Sequence, residues 1–130
     1  MKYVIAILLM LTATATRAEE LNETDKAFVI KYISSIYVCG HCGNKYLPDN
    51  DGSIGWGDRN GVDDPRRLAV AVVTTALANA RKPYNRSNLD PRVTRLTRDM
   101  MNELVAADDK TICDKLAKVL NNDGFLTVDN

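Results

Sequence analysis

The sequence carries none of the short fingerprints that mark common catalytic sites. It has no G-x-S-x-G elbow, no H-E-x-x-H pair, no phosphate-binding loop and no dinucleotide-binding glycine motif. Histidine is nearly absent: a catalytic triad would have to use His41 or do without one. Net charge is absent too, with 17 basic residues against 17 acidic, so the chain lacks the basic footprint of a nucleic-acid-binding protein. Only three cysteines occur, Cys39, Cys42 and Cys113, too few for a disulfide-dense mini-protein. A chain of this length can build a hydrophobic core without such staples. Long apolar runs are missing as well: Tyr3 to Leu11 is far shorter than the roughly 20 residues of a bilayer-spanning helix.

That short run has another meaning. Lys2 precedes it, and small residues ending in Thr16-Arg17-Ala18 follow, the order of a secretory signal peptide. Residues 1–18 are therefore expected to be a signal peptide, and 19–130 a single helical domain that is periplasmic or secreted, with no transmembrane segment. Losing Lys2 and Arg17 leaves 15 basic residues against 17 acidic, a net charge of −2. In an oxidising compartment two of the three cysteines are expected to pair. The third is then a free thiol or the link of a disulfide-bonded dimer.

Four helices are expected. Asn22 can cap the first, with Glu23 and Asp25 suiting its positive end, Val29, Ile33 and Ile36 at helical spacing, and Gly40 as its stop. The span is 23–39. Asp64-Pro65 opens the second, whose segment Leu68 to Ala80 is apolar nearly all round and reads as a buried central helix. Asp90-Pro91 repeats the start signal, and Val93, Leu96, Met100 and Leu104 follow in a clean stripe. The fourth runs over about 109–121, through Ile112, Leu116 and Val119. Phe125 to Val128 can then return as a short extended tail.

Between the first two helices lies a glycine-rich stretch, 40–64, with six of the seven glycines, the only histidine and the only tryptophan. A connection this long is usually functional or disordered, and Trp56 and Ile54 give it something to bury. It is the expected binding surface, with Trp56, Asp49, Asp51 and Asp58 as candidate contact residues. Trp56 has a rival role as the plug that pins the loop to the core.

Within this stretch Cys39-Gly40-His41-Cys42 resembles the active-site motif of protein disulfide isomerases. The resemblance covers four residues and implies a thiol–disulfide oxidoreductase. Its context differs: in those enzymes the motif opens a helix, which lowers the thiol pKa, whereas here it closes one. No alternating βαβ pattern surrounds it. The alternative is a structural disulfide from Cys39 or Cys42 to Cys113, which would close a loop of about 70 residues. Cys39, His41, Cys42 and Cys113 also add up to four soft ligands. Adjacent His41 and Cys42, however, do not make a zinc-knuckle spacing.

Asp49-Asn50-Asp51-Gly52-Ser53-Ile54 and Asn121-Asn122-Asp123-Gly124-Phe125-Leu126 resemble the middle of EF-hand calcium loops. In that register Leu47 and Val119 take the first position, where a carboxylate belongs, and Asp58 takes the twelfth position of the first copy. A calcium-binding module with a degenerate loop is therefore an alternative to a pair of tight turns. From Arg81 to Arg98 the chain holds Arg81, Lys82, Arg86, Arg92, Arg95 and Arg98 against Asp90 alone. That run reads as a solvated face, or as a basic patch for an anionic partner.

These features combine into an all-α expectation: a small four-helix domain with a long glycine-rich loop, stapled by one disulfide. The expected function is that of an exported non-catalytic binding protein, of the inhibitor, immunity or accessory-subunit class. Its partner is another protein, with no cofactor and no metal.

Overall fold

The structure, a computed structural model, describes residues 20–43, 45–106 and 110–128. The expected signal peptide, residues 1–18, lies outside the described residues. Helix α1 spans Glu23–His41, α2 Asn50–Arg59, α3 Pro65–Asn79, α4 Pro91–Ala106 and α5 Lys110–Asp123. Strand β1 (Tyr46–Pro48) pairs antiparallel with β2 (Leu126–Val128), Leu47 opposite Thr127. A 3-10 turn, Arg86–Asn88, stands before α4. Among the described residues, no helix is long and apolar enough to cross a membrane.

The starts of α1, α3 and α4 have visible causes. The Asn22 side chain accepts the Asp25 N–H at 2.8 Å, and Asp64 accepts that of Arg67 at 3.2 Å with Pro65 behind it. Asp90 accepts the Arg92 N–H at 3.0 Å and also holds the Arg92 guanidinium, at 2.8 Å and 3.1 Å. That guanidinium holds the Asp90 carboxyl below the usual aspartate range.

The expectation of four helices and one long loop needs correction. Residues 50–59 form a helix inside the glycine-rich stretch, so five helices are present among the described residues. Gly52, Gly55 and Gly57 each weaken a helix by about 1 kcal/mol relative to alanine. Three features offset this. Asp49 caps the helix by accepting the Gly52 N–H at 2.8 Å. Asp51 sits in the first, positive turn. Gly52 and Gly57, finally, allow contacts that a larger residue would block.

The central helix also differs from the expectation. It is α1, which touches α3, α4 and α5. Phe28, Val29, Ile33, Tyr37 and Val38 are fully buried along it. Its two buried serines satisfy themselves on the helix, Ser34 donating to Ile30 O at 2.8 Å and Ser35 to Tyr32 O at 2.6 Å. Helix α3, read as buried all round, instead leaves Val70 and Val73 more than 40% exposed (44% and 41%). The disulfide joins Cys42, the C-cap of α1, to Cys113 on α5 across a separation of 71 residues, with Cα atoms 5.5 Å apart.

Candidate functional site

The cysteine motif ends α1 rather than opening a helix. Cys42 follows the last helical residue, and its N–H still donates to Val38 O at 3.1 Å. Gly43 then takes φ +91°, the left-handed region that lets the chain turn away. His41 is exposed and stacks on Tyr37, ring centres 4.8 Å apart. Cys39 is a free, half-buried thiol, and burial pushes its pKa up. A thiolate is the reactive form, so this environment opposes nucleophilic use of Cys39 near neutral pH. The two cysteines of the motif are not bonded to each other: Cys42 is committed to Cys113.

The two aspartate–glycine segments meet. A Cβ on Gly52 would run into the Gly124 carbonyl oxygen and lie 3.0 Å from the Asp49 carboxyl carbon. Beside this contact Asp49 N–H donates to Phe125 O at 3.0 Å, and the β1–β2 ladder continues the pairing. Gly124 has φ +86°, which brings the chain out of α5 and into β2. The carboxylates of these segments are dispersed. Asp49 caps α2, and Asp123 forms an ion pair with Lys31 at 2.7 Å. Asp51 and Asp58, seven residues apart, lie on one exposed face of α2. No group of three or more His, Cys, Asp or Glu residues is poised to hold a metal ion among the described residues.

Trp56 belongs to an aromatic cluster. Its ring lies 5.6 Å edge-on from Phe125 and 6.5 Å from Phe28, with Lys31 Nζ 5.4 Å above its centre. It is half-buried and packs against the core. Trp56→Ala is therefore expected to cost about 2 kcal/mol, below the range for a fully buried aromatic. Trp56 emission should also be only partly quenched by acrylamide. Unchanged urea stability with strong quenching would return Trp56 to the surface as a contact residue.

The basic run resolves into separate roles. Arg92 is held by Asp90, while Arg81, Lys82, Arg86, Arg95 and Arg98 are exposed. Two shallow hollows flank α4, and each mixes these cations with Asp99. This is a solvated face of mixed charge.

Sequence reasoning missed a groove between α2 and α3. Tyr32, Ile54, Val70 and Val73 line it with Asn50 and Arg66 at its rim, and it encloses about 280 Å³. Arg66, Val70 and Val73 follow at four- and three-residue steps, so they form one outward stripe on α3. A signal for it existed. Apolar residues all round α3 exceed what its neighbours can cover once α1 takes the centre. A second hollow, lined by Ile33, Ile36, Val72 and Met101, is built of core side chains and of Ala80 and Asn79 at its edge.

Comparison with protein-family models, curated proteins and solved structures finds no match to this chain.

Proposed function

We propose that this chain is an exported helical protein that works by holding another protein, as an inhibitor, immunity protein or accessory subunit does, and not by catalysis. The observation that carries this reading is the α2–α3 groove. Val70 and Val73 are exposed beside Ile54, on a helix whose other side is core. Paired apolar residues at a groove, with an arginine at the rim, match the make-up of a small protein-binding patch. The partner it suits is a protein segment with apolar side chains and a carboxylate near Arg66. A disulfide is compatible with life in an oxidising compartment.

The two alternatives have less support. A thiol–disulfide oxidoreductase would need Cys39 and Cys42 to act as a pair, whereas Cys42 is bonded elsewhere and burial works against the Cys39 thiolate. A calcium loop at 49–58 would need those residues to wrap an ion, whereas 50–59 are helical and Asp49 serves as a cap.

The test compares proteins captured from the exported fraction by the wild type, Val70→Glu, Val73→Glu and the exposed control Val105→Glu. Captured candidates are then purified and titrated directly. Loss of direct binding by at least tenfold in the two groove variants, with Val105→Glu unaffected, is expected. All three should melt within about 1 kcal/mol of wild type, as surface changes do. Equal binding by all four proteins would remove the groove from the function.

A further inference from the structure

The disulfide and the free thiol lie on the same turn of α1, and nothing in the binding reading uses them. Cys39 and Cys42 are three residues apart, which in helical geometry places their Cα atoms about 5 Å from one another. Disulfides take Cα separations of about 4.4–6.8 Å, so Cys42 can in principle bond to either partner. Its present partner, Cys113, is 5.5 Å away by the same measure. Side chains three apart on a helix face the same side, with Cβ atoms about 5–6 Å apart. A bond between them needs the last turn to give by an ångström or two. That turn is the end of α1, where the chain is already leaving helical geometry. Cys42 is the cap, with φ −103° and ψ 24°, Gly43 follows in the left-handed region, and Gly40 has open space around it.

We propose that Cys39 is an internal exchange partner for the Cys42–Cys113 disulfide, giving the chain a second covalent form in which Cys39 and Cys42 are bonded and Cys113 is free. The step is balanced within the chain. Once the last turn of α1 opens and relieves the burial that disfavours it, the Cys39 thiolate attacks Cys42 Sγ, the Sγ39–Sγ42 bond forms, and the Sγ42–Sγ113 bond breaks. Cys113 leaves as a thiolate and takes up the proton that Cys39 lost. One thiol and one disulfide exist before and after, so no oxidant or reductant is consumed.

The position of α5 decides between the two forms. With α5 seated through Ala117 and Leu120, Cys113 is held against Cys42 and the long-range bond is favoured. When the packing of α5 loosens, Cys113 stays tethered until Cys39 displaces it; Cys113 then leaves with α5, and only Cys39 remains within reach of Cys42. The cysteine trio therefore acts as a latch: it locks a seated α5 covalently and records its release in a different bond.

The experiment incubates the native protein in mildly alkaline buffer with increasing urea, below the global unfolding transition. Exchange is then stopped with acid, free thiols are labelled with a maleimide, and the peptides are mapped by mass. The expected result is label on Cys113 together with a linked Cys39–Cys42 peptide, growing with urea. Cys39→Ser should lose all labelling of Cys113. As a second measurement, Cys113→Ser treated with oxidised glutathione should end with no free thiol and an internal Cys39–Cys42 bond. Label confined to Cys39 at every urea concentration would overturn the proposal. So would a Cys113→Ser protein that ends only as glutathione adducts.

Discussion

Cys113→Ser should lower the melting temperature by roughly 15–30 °C. The Cys42–Cys113 bond spans 71 residues. In the chain-entropy account, a cross-link of that span removes about 4 kcal/mol of freedom from the unfolded chain. In a domain of about 100 residues each kcal/mol moves the melting temperature by about 4–8 °C. A replacement Cys39–Cys42 bond would close only a tiny ring and recover little of this. Cys39→Ser, which leaves the long bond in place, is the control and should melt close to wild type. Far-ultraviolet circular dichroism on heating measures both. Equal melting of Cys113→Ser and wild type would show that the bond contributes nothing to the folded state.

The second large effect is expected at Gly52, and its sign is opposite to what helix propensity alone implies. On propensity, Gly→Ala inside a helix stabilises by about 1 kcal/mol. At Gly52 the added methyl would collide with the Gly124 carbonyl oxygen, a backbone atom that cannot rotate out of the way. Gly52→Ala should therefore destabilise by about 3 kcal/mol, at the upper end for overpacking. Gly55, one turn on in the same helix, gives the comparison. A methyl there meets only the end of the flexible Arg59 side chain, at 3.1 Å. Gly55→Ala should be neutral or stabilising by up to about 1 kcal/mol. Urea midpoints of the two variants decide the matter, and similar behaviour of both would discard the close contact.

The contrast explains what could be read from the sequence. Asn22, Asp64-Pro65 and Asp90-Pro91 announce helix starts through local chemistry, and α1, α3 and α4 begin at or beside them. The short return at Leu126–Val128 was legible from its composition. Helix α2 was not, because its glycines advertise a loop, while the reason for two of them lies elsewhere. Gly52 is small for the sake of Gly124, and Gly57 for the sake of Pro65 and Phe28. Such reasons join distant residues and leave no periodic mark. The cysteines show the same division. A long-range bond to Cys113 could be anticipated from oxidation and loop length. The choice of Cys42 over Cys39 depends on which position along the last turn of α1 comes level with Cys113 on α5. Likewise, the exposure of Val70 and Val73 follows from α1 taking the central place, which the composition of α3 alone could not reveal.

The likeness of the two aspartate–glycine segments also has a physical account. Each supplies a residue that leaves room, and together they let two backbones touch between α2 and the end of α5. Asp49, Asp51 and Asp123 serve a cap, a first helical turn and an ion pair in that arrangement.

The pairing of β1 with β2 sets an order of events for a chain that emerges N-terminus first. Phe125 is fully buried against Phe28 and Trp56, and Leu126 is buried beside it, so the centre of the molecule is completed by residues about 100 positions after those of α1. Until they arrive, the cover that Trp56 gives Phe28 is incomplete and β1 has no strand to pair with. The early elements can form locally, but closing the core waits on contacts across most of the chain, the slow kind of assembly. The core thus closes late in folding, once Phe125 and Leu126 have packed over Phe28 and Trp56.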